Sequence, residues 1–333
     1  MAHSSTNPRS KLEKIFSDGL SPLEDSTDAS RYVVAYSGGV DSRVLLQLCV
    51  DLGLTVRAIH INHQLQPEAD SWAQQAINTC QRLGVNIEAV RVDAAAGPRE
   101  SPEAVAREAR YPALLEAMHE GEILLLAQHA DDQAETVLIQ MMRGAGPAGL
   151  SAMPVVSERL NAAGQRMTLM RPLLEATSEQ IVDFASERGL EWVEDPSNQD
   201  TDIRRNAVRH RVMPLLEEIA PRSGMAFARV ASQQQISAEL LDDLARIDLA
   251  QCVGESQDCL QLSRVGALSE SRQFNLIRYW LHALGTRPNR AAIQQIQSDV
   301  LHASNSADPC VRWGDHQVRR EDDRMRVSEL SRA

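Results

Sequence analysis

Residues 32–42 read YVVAYSGGVDS, and this stretch constrains the chain more than any other. Tyr32–Tyr36 is short, apolar and rich in β-branched residues, as a buried strand is. Val44, Leu45 and Leu48 then recur at helical spacing, so a helix starts near Asp41 or Ser42. The segment is a strand–turn–helix. Gly38 and Gly39 permit a tight turn and close approach of a ligand. Backbone N–H groups at the helix start make that turn an anion site, and Ser37 and Ser42 can add hydroxyl donors. Asp41 would repel a phosphate there unless a cation lay between them. Mg²⁺, commonly held by one or two carboxylates plus phosphates, resolves the conflict. Ser42-Arg43 stands where a Walker A loop needs its lysine, and the spacing is not GxGxxG.

Further strands are expected at 55–62, 86–93 and 122–129, and helices at 42–52, 70–83, 102–119 and 132–143, with Ser101-Pro102 as a cap. This alternation predicts an α/β fold, a doubly wound parallel sheet of the Rossmann type, whose ligands sit at the carboxyl ends of strands. SGGVDS, HINHQL (60–65) and QHADDQ (128–133) fall at three such ends, so one shared crevice is expected. Asp131 and Asp132 can complete a Mg²⁺ site with Asp41, and His129, Asp132 and Gln133 project from the first helical turn. An ordinary acidic helix start is the alternative. His60 and His63 are three apart on a strand and should point to opposite faces, which argues against a shared metal. Strand-end backbone gripping an adenine ring fits better. Arg107 and Arg110 share a helix face with Glu103. They form a surface ion pair, worth little, or Arg110 reaches a phosphate.

Residues 143–154, rich in Gly, Pro and Ala, read as a mobile loop, and 167–174 as a strand. Thr177 and Gln180 form a capping-box signature. Arg204, Arg205, Arg209 and Arg211 flank an apolar helical stripe. They contact RNA or form a structural ion network. Pro214 should kink or restart that helix. From 222 the pattern turns helical until a short charged end around VRWGDHQVRRE. Domains of 1–221 and 222–333 are therefore expected. A length of 333 residues, 43% of them apolar, supports two packed domains. The net charge of −12 restricts any nucleic-acid contact to a local patch. Five scattered cysteines without a CxxC read as reduced thiols. With no apolar signal core and no spanning run, a soluble cytoplasmic protein with no membrane contact is expected.

SGGVDS resembles the PP-loop of the N-type ATP pyrophosphatases, which fold like the adenine nucleotide alpha-hydrolases. Within them, AYSGGVDS, AIHINHQL, EAVAREARYPAL, AQHADDQAET, MRGAGPAGLSAM, RPLL and WVEDPSNQDTDIRRN resemble the bacterial tRNA(Ile)-lysidine synthases. The likeness covers most of 30–220 and continues more weakly to DPCVRWG. It implies ATP binding by Ser37, Gly38, Gly39, Val40, Asp41, Ser42 and Ile61, and catalysis by Asp41, Arg110, His129 and Asp132. It further implies Mg²⁺ on Asp41, Asp131 and Asp132, and tRNA contact by Arg204, Arg205, Asn206 and Arg209. The implied reaction adenylates the wobble cytidine of a CAU-anticodon tRNA(Ile), and free L-lysine then displaces AMP. Partners would be that tRNA, L-lysine and ATP, with a homodimer left open. Long-type members carry a further C-terminal domain, which this chain would lack.

Three other readings compete. Sulfur-inserting PP-loop enzymes need catalytic cysteines, often paired. Amide-forming relatives usually bring a glutaminase domain. A non-catalytic nucleotide sensor would not need the full set of aspartates.

Overall fold

The computed structural model describes residues 10–23, 31–64, 66–92, 110–303 and 309–330. The Ser101-Pro102 cap, Glu103 and Arg107 lie outside the described residues. The chain divides into two compact units, 1–235 and 236–333.

The first unit is built on six strands: β1 (Arg31–Ala35), β2 (Val56–Asn62), β3 (Asn86–Arg91), β4 (Glu122–Leu125), β5 (Val156–Leu160) and β6 (Arg166–Met170). Their order is β3-β2-β1-β4-β6-β5, and all pairings are parallel except β5 with β6. Helices α2 (Val40–Asp51) and α3 (Ala69–Leu83) carry the chain from β1 to β2 and from β2 to β3. Helix α4, described over 110–116, precedes β4.

Side chains alternate across the sheet, so β1 feeds two cores. Val34 packs with Phe16 of α1 (Lys11–Leu20), Leu45, Leu48 and Leu173. Val33 and Ala35 pack with Leu114, Leu115 and Leu124. Each fully buried side chain of this kind stabilises the fold by roughly 1.5–3 kcal/mol. Strand order reverses at β1, whose neighbours are β2 and β4. The loops leaving β1 and β4 therefore flank a crevice at the switch point.

Several boundaries differ from expectation. The strand expected over 122–129 stops at Leu125, and the one over 167–174 stops at Met170, just before Arg171-Pro172. Proline has no N–H to extend a ladder. β5 was hidden because it is a largely exposed antiparallel edge strand. Residues 143–154 are not merely a loop. They contain the short helix α6 (Pro147–Leu150), which follows α5 (Ala130–Met142). The Gln133 amide grips that segment twice, donating to Met153 O at 2.7 Å and accepting from Met153 N–H at 2.9 Å. Helix α7 (Ser178–Glu187) starts with the capping box that Thr177 and Gln180 predict.

A 3₁₀ turn at Pro196–Gln199 leads into α8 (Arg204–Ala207), a π-helical turn at Val208–Val212, and α9 (Met213–Ile219). Pro214 cannot donate to a carbonyl four residues back, and the wider π turn directly before α9 absorbs that break. Pro221 lies in the turn ahead of α10 (Ser223–Cys252), and the division between the units falls inside α10.

In the second unit, α11 (Leu262–Gly266), α12 (Glu270–Ala283) and α13 (Arg290–Gln295) pack around Trp280, whose indole N–H donates to Gln257 O at 2.7 Å. Asp248 is fully buried and paired with Arg272. This half is not purely helical. Strands β7 (Cys259–Gln261), β8 (Cys310–Trp313), β9 (His316–Glu321) and β10 (Arg324–Glu329) form an antiparallel sheet of order β7-β10-β9-β8. Its inner row, Val311, Val318, Met325 and Val327, alternates with polar residues, and that period-two signal is what the helical reading passed over. All five cysteines are free thiols. Among the described residues no helix is long and apolar enough to cross a membrane.

Candidate active site

The turn after β1 has the form its sequence predicts. Gly38 takes φ +91°, open to glycine and strained for other residues, and Gly39 is the N-cap of α2. Arg43 N–H is the first to bond back along the helix, to Gly39 O at 2.9 Å, so the preceding N–H groups face the mouth of the turn. Ser42 Oγ accepts from Ser37 N–H at 3.2 Å and donates to Gly39 O at 3.0 Å, and the Ser37 hydroxyl lies 3.0 Å away. The two serines thus fix the shape of the turn. A second tether is Val193 N–H, which donates to Gly38 O at 2.9 Å.

Across the switch point, His129 is the N-cap of α5 and is buried among three carboxylates. Its Nε2 lies 3.7 Å from Asp41 Oδ1 and 3.6 Å from Asp132 Oδ2, and its Nδ1 lies 3.4 Å from Asp131 Oδ2. Burial alone would lower the His129 pKa. The surrounding charges of Asp132, Asp131 and Asp41 outweigh it and lift the value to about 9, so His129 is a cation at neutral pH. Burial raises the Asp41 pKa, with His129 pulling the other way. Asp132 is held below the usual carboxylate range, because His129, Arg205 and Arg209 overcome its burial. Asp131 is lowered against its burial by His129 and by the Ser178 N–H at 2.7 Å.

The three expected metal ligands do not form one cation cage. Asp131 caps α7 through Ser178, and Asp132 is bound by two arginines and by its own helix start. Among the described residues, no group of three His, Cys, Asp or Glu side chains is arranged to hold an ion. Asp41, at the lip of the phosphate turn, fits Mg²⁺ carried chiefly by phosphates. The partners that Asp131 and Asp132 take from α7 and from Arg209 lie 47 to 77 residues away, beyond a local reading.

A cavity of about 200 Å³ opens beside the turn, lined by Tyr36, Ser37, Ile61, Arg110, Asp195 and Ser197. His60 and His63 both line it as well, contrary to the opposite-face expectation. β2 ends at Asn62 and Gln64 takes φ 55°, so the chain has left the strand pleat before alternation reaches His63. His60 Nδ1 bonds Tyr36 O at 2.9 Å. Burial, with Arg110 nearby, lowers the His63 pKa to about 4, so His63 is neutral. Asn62 is occupied with Asp70 and the Gln64 N–H.

The expected RNA-contacting set divides. Arg204 is exposed. Arg205 Nε donates to Glu135 Oε2 at 2.6 Å and its Nη2 to Asp132 Oδ1 at 3.1 Å. Arg209 Nε donates to Glu135 Oε1 at 2.5 Å and its Nη2 to Asp132 Oδ1 at 3.2 Å. The structural network is therefore realised, with Asp132 and Glu135 of α5 as its carboxylates. Arg211 bonds the Thr201 hydroxyl. Asn206, expected among the RNA contacts, is buried, and its amide donates to Ser197 O and Asp200 O. Glu135, almost wholly buried, was missed by the sequence reading. Its one signal is a spacing of three from Asp132, which puts both on one helix face.

Residues 5–216 match the family model described as PP-loop domain, and 260–326 match the TilS substrate binding domain. The chain is 39% identical over 319 residues to a tRNA(Ile)-lysidine synthase of Methylococcus capsulatus, covering 94% of this chain and 70% of that one. It is 43% identical over 294 residues to the Shigella flexneri enzyme of that name, covering 86% and 66%. The chain thus spans about two thirds of the length of the curated relatives it matches. Among solved structures, the U34-tRNA thiolase NcsA from Methanococcus maripaludis, which bears a [4Fe-4S] cluster, is similar at TM-score 0.52. It is 15% identical, covering 67% of this chain and 78% of that one, a likeness of fold.

Phosphate turn, switch-point crevice and family model together define a PP-loop enzyme that uses ATP. More narrowly, the chain belongs to the tRNA(Ile)-lysidine synthase family, ligases that form a carbon–nitrogen bond.

Proposed function

We propose that this chain joins the ε-amine of free L-lysine to C2 of the wobble cytidine in a CAU-anticodon tRNA(Ile), by way of an adenylated cytidine. The cytosine O2 attacks the α-phosphorus of ATP and pyrophosphate leaves. The lysine amine then adds to C2, AMP departs with the O2 oxygen, and the amine gives up its proton. Lysidine changes decoding from AUG to AUA.

The observation that carries this reading is the approach of His129 Nε2 to within 3.7 Å of Asp41 Oδ1, which sets the imidazole across the switch point from the start of α2. The α2 N–H groups hold the leaving phosphates, and His129 and Arg110 supply positive charge to the transferring phosphoryl. Mg²⁺ on Asp41 would neutralise phosphate charge when bound. The cavity beside Ile61 suits a nucleobase gripped by strand-end backbone. Asp132, kept ionised by His129, Arg205 and Arg209, adds negative charge that would attract the lysine ammonium. Among the described residues no cysteine lines this cavity, which favours amine over sulfur chemistry.

Pyrophosphate and AMP release, measured with tRNA and lysine added singly and together, tests the proposal. Adenylation should require the tRNA, and AMP release from the modified tRNA should require lysine. Turnover with ammonia or a sulfur donor in place of lysine would overturn it.

A further inference from the structure

Residues 204–212 carry two pairs at helical i, i+4 spacing, set side by side. Arg205 and Arg209 grip Asp132 and Glu135 of α5. Asn206 and His210 grip something else. The Asn206 amide donates to Ser197 O at 3.0 Å and to Asp200 O at 2.9 Å. His210 Nε2 lies 2.8 Å from Asn198 O, and since a carbonyl only accepts, that nitrogen carries the hydrogen.

The gripped segment, 193–200, is a strap with a second anchor. Val193 N–H donates to Gly38 O at 2.9 Å, in the phosphate turn itself. Between the anchors, Asp195 Oδ1 accepts from Ser197 N–H at 2.9 Å, which locks the 3₁₀ turn. Asp195 and Ser197 line the cavity that Ser37 and Arg110 also line. Asparagine inside a helix has no propensity reason to be there. A buried one with both amide hydrogens spent on a single strap is there to hold that strap.

We infer that Asn206 is a positioning residue for the nucleotide. It fixes the strap that forms one wall of the ATP cavity, and so brackets that wall to the helix whose arginines orient Asp132. This rests on reading the cavity as the ATP site. Without Asn206, two strap carbonyls lose their donor and the wall carrying Asp195 and Ser197 loosens. The carboxylate cluster, held by Arg205 and Arg209, stays in place. The loss therefore falls on ATP binding more than on the chemical steps.

The test is direct calorimetry of MgATP binding to the full chain and to Asn206→Ala, with steady-state kinetics. ATP affinity should fall about tenfold, the scale of a lost pair of buried hydrogen bonds. KM for ATP should rise in step, with kcat at saturating ATP and tRNA affinity measured without ATP both staying within about twofold. Asn206→Asp, the same size but unable to donate, should behave like the alanine variant. Unchanged ATP affinity in folded Asn206→Ala would overturn the inference, as would a loss confined to tRNA affinity. If Asn206→Ala does not fold, His210→Ala removes one surface-side strap bond. It should weaken ATP about threefold, and no change there is equally fatal. A wild-type chain that binds no ATP would instead sink the function proposed above.

Discussion

His129 Nε2 lies 3.7 Å from Asp41 Oδ1, and this approach joins the helix that follows β1 to the helix that follows β4. Neither strand loop alone makes a reaction centre. The phosphate turn lacks a cation, and the α5 start lacks a phosphate cradle. Strand order 2-1-4 puts the two loops side by side, so the reversal at β1 is what assembles the chemistry.

Asp41→Asn should leave the fold intact, because among the described residues no backbone N–H donates to Asp41, and it sits at a helix start where asparagine is tolerated. Adenylation should slow by about 10²–10³, the scale for one preorganised electrostatic partner. Added Mg²⁺ should restore part of the loss. Pyrophosphate release across a Mg²⁺ series reads this directly, and wild-type-like turnover at moderate Mg²⁺ would remove Asp41 from the metal role.

Arg110→Ala should slow single-turnover adenylation by a similar factor, about 10²–10³. Arg110 lines the cavity and acts electrostatically on His60 and His63, so it is not an idle surface charge. Unchanged adenylation with only a slightly lower melting temperature would return it to a surface role.

A stability prediction comes from the opposite end of the sheet. Arg57 forks onto Glu122, with Nε–Oε1 at 2.7 Å and Nη2–Oε2 at 2.6 Å, and the His119 N–H adds a third bond at 2.7 Å. Burial would raise the Glu122 pKa, but Arg57 and the His119 N–H outweigh it and hold it below its ordinary value. A carboxyl depressed on folding stabilises the protein above its unfolded pKa, about 4.3. That contribution fades as pH falls through the lower folded value. Glu122→Gln should cost about 3 kcal/mol at neutral pH, the scale for breaking a buried pair from one side. The cost should shrink in acid. Melts of both proteins from pH 7 to pH 3 check this, and a constant gap would refute it.

Legibility followed locality. The strand–turn–helix of the phosphate turn and the capping box of α7 are set by neighbours in sequence, and residues 32–48 and 177–180 display them, while the parallel sheet showed only through the alternation of strands and helices. Glu135 is different. It looks like an ordinary surface glutamate until Arg205 and Arg209, 70 and 74 residues on, fold against it. Asp131 likewise becomes a cap for α7 only in three dimensions. The HxxH spacing misled because strand geometry was carried one residue past the strand's end. The C-terminal sheet was masked by arginines at its outward positions, which read as a charged tail.

The last prediction separates Arg204 from Arg205. Both stand in one basic run, and in sequence they are equivalent candidates for RNA phosphates. The fold gives them opposite surroundings. Arg205 is mostly buried and bound to Glu135, itself 1% exposed, so removing its charge strands a carboxylate. Arg205→Gln should therefore cost about 3–5 kcal/mol of stability, while the salt dependence of tRNA binding keeps its slope. Arg204 is exposed, so its neutralisation should barely move the melting temperature. If it meets a phosphate, Arg204→Gln flattens the plot of log affinity against log salt by about one unit. A salt series of tRNA affinity with parallel melts decides both. A flattened slope in Arg205→Gln with an unmoved melting temperature would show that its pairing with Glu135 gives way to RNA, and the structural role would fall.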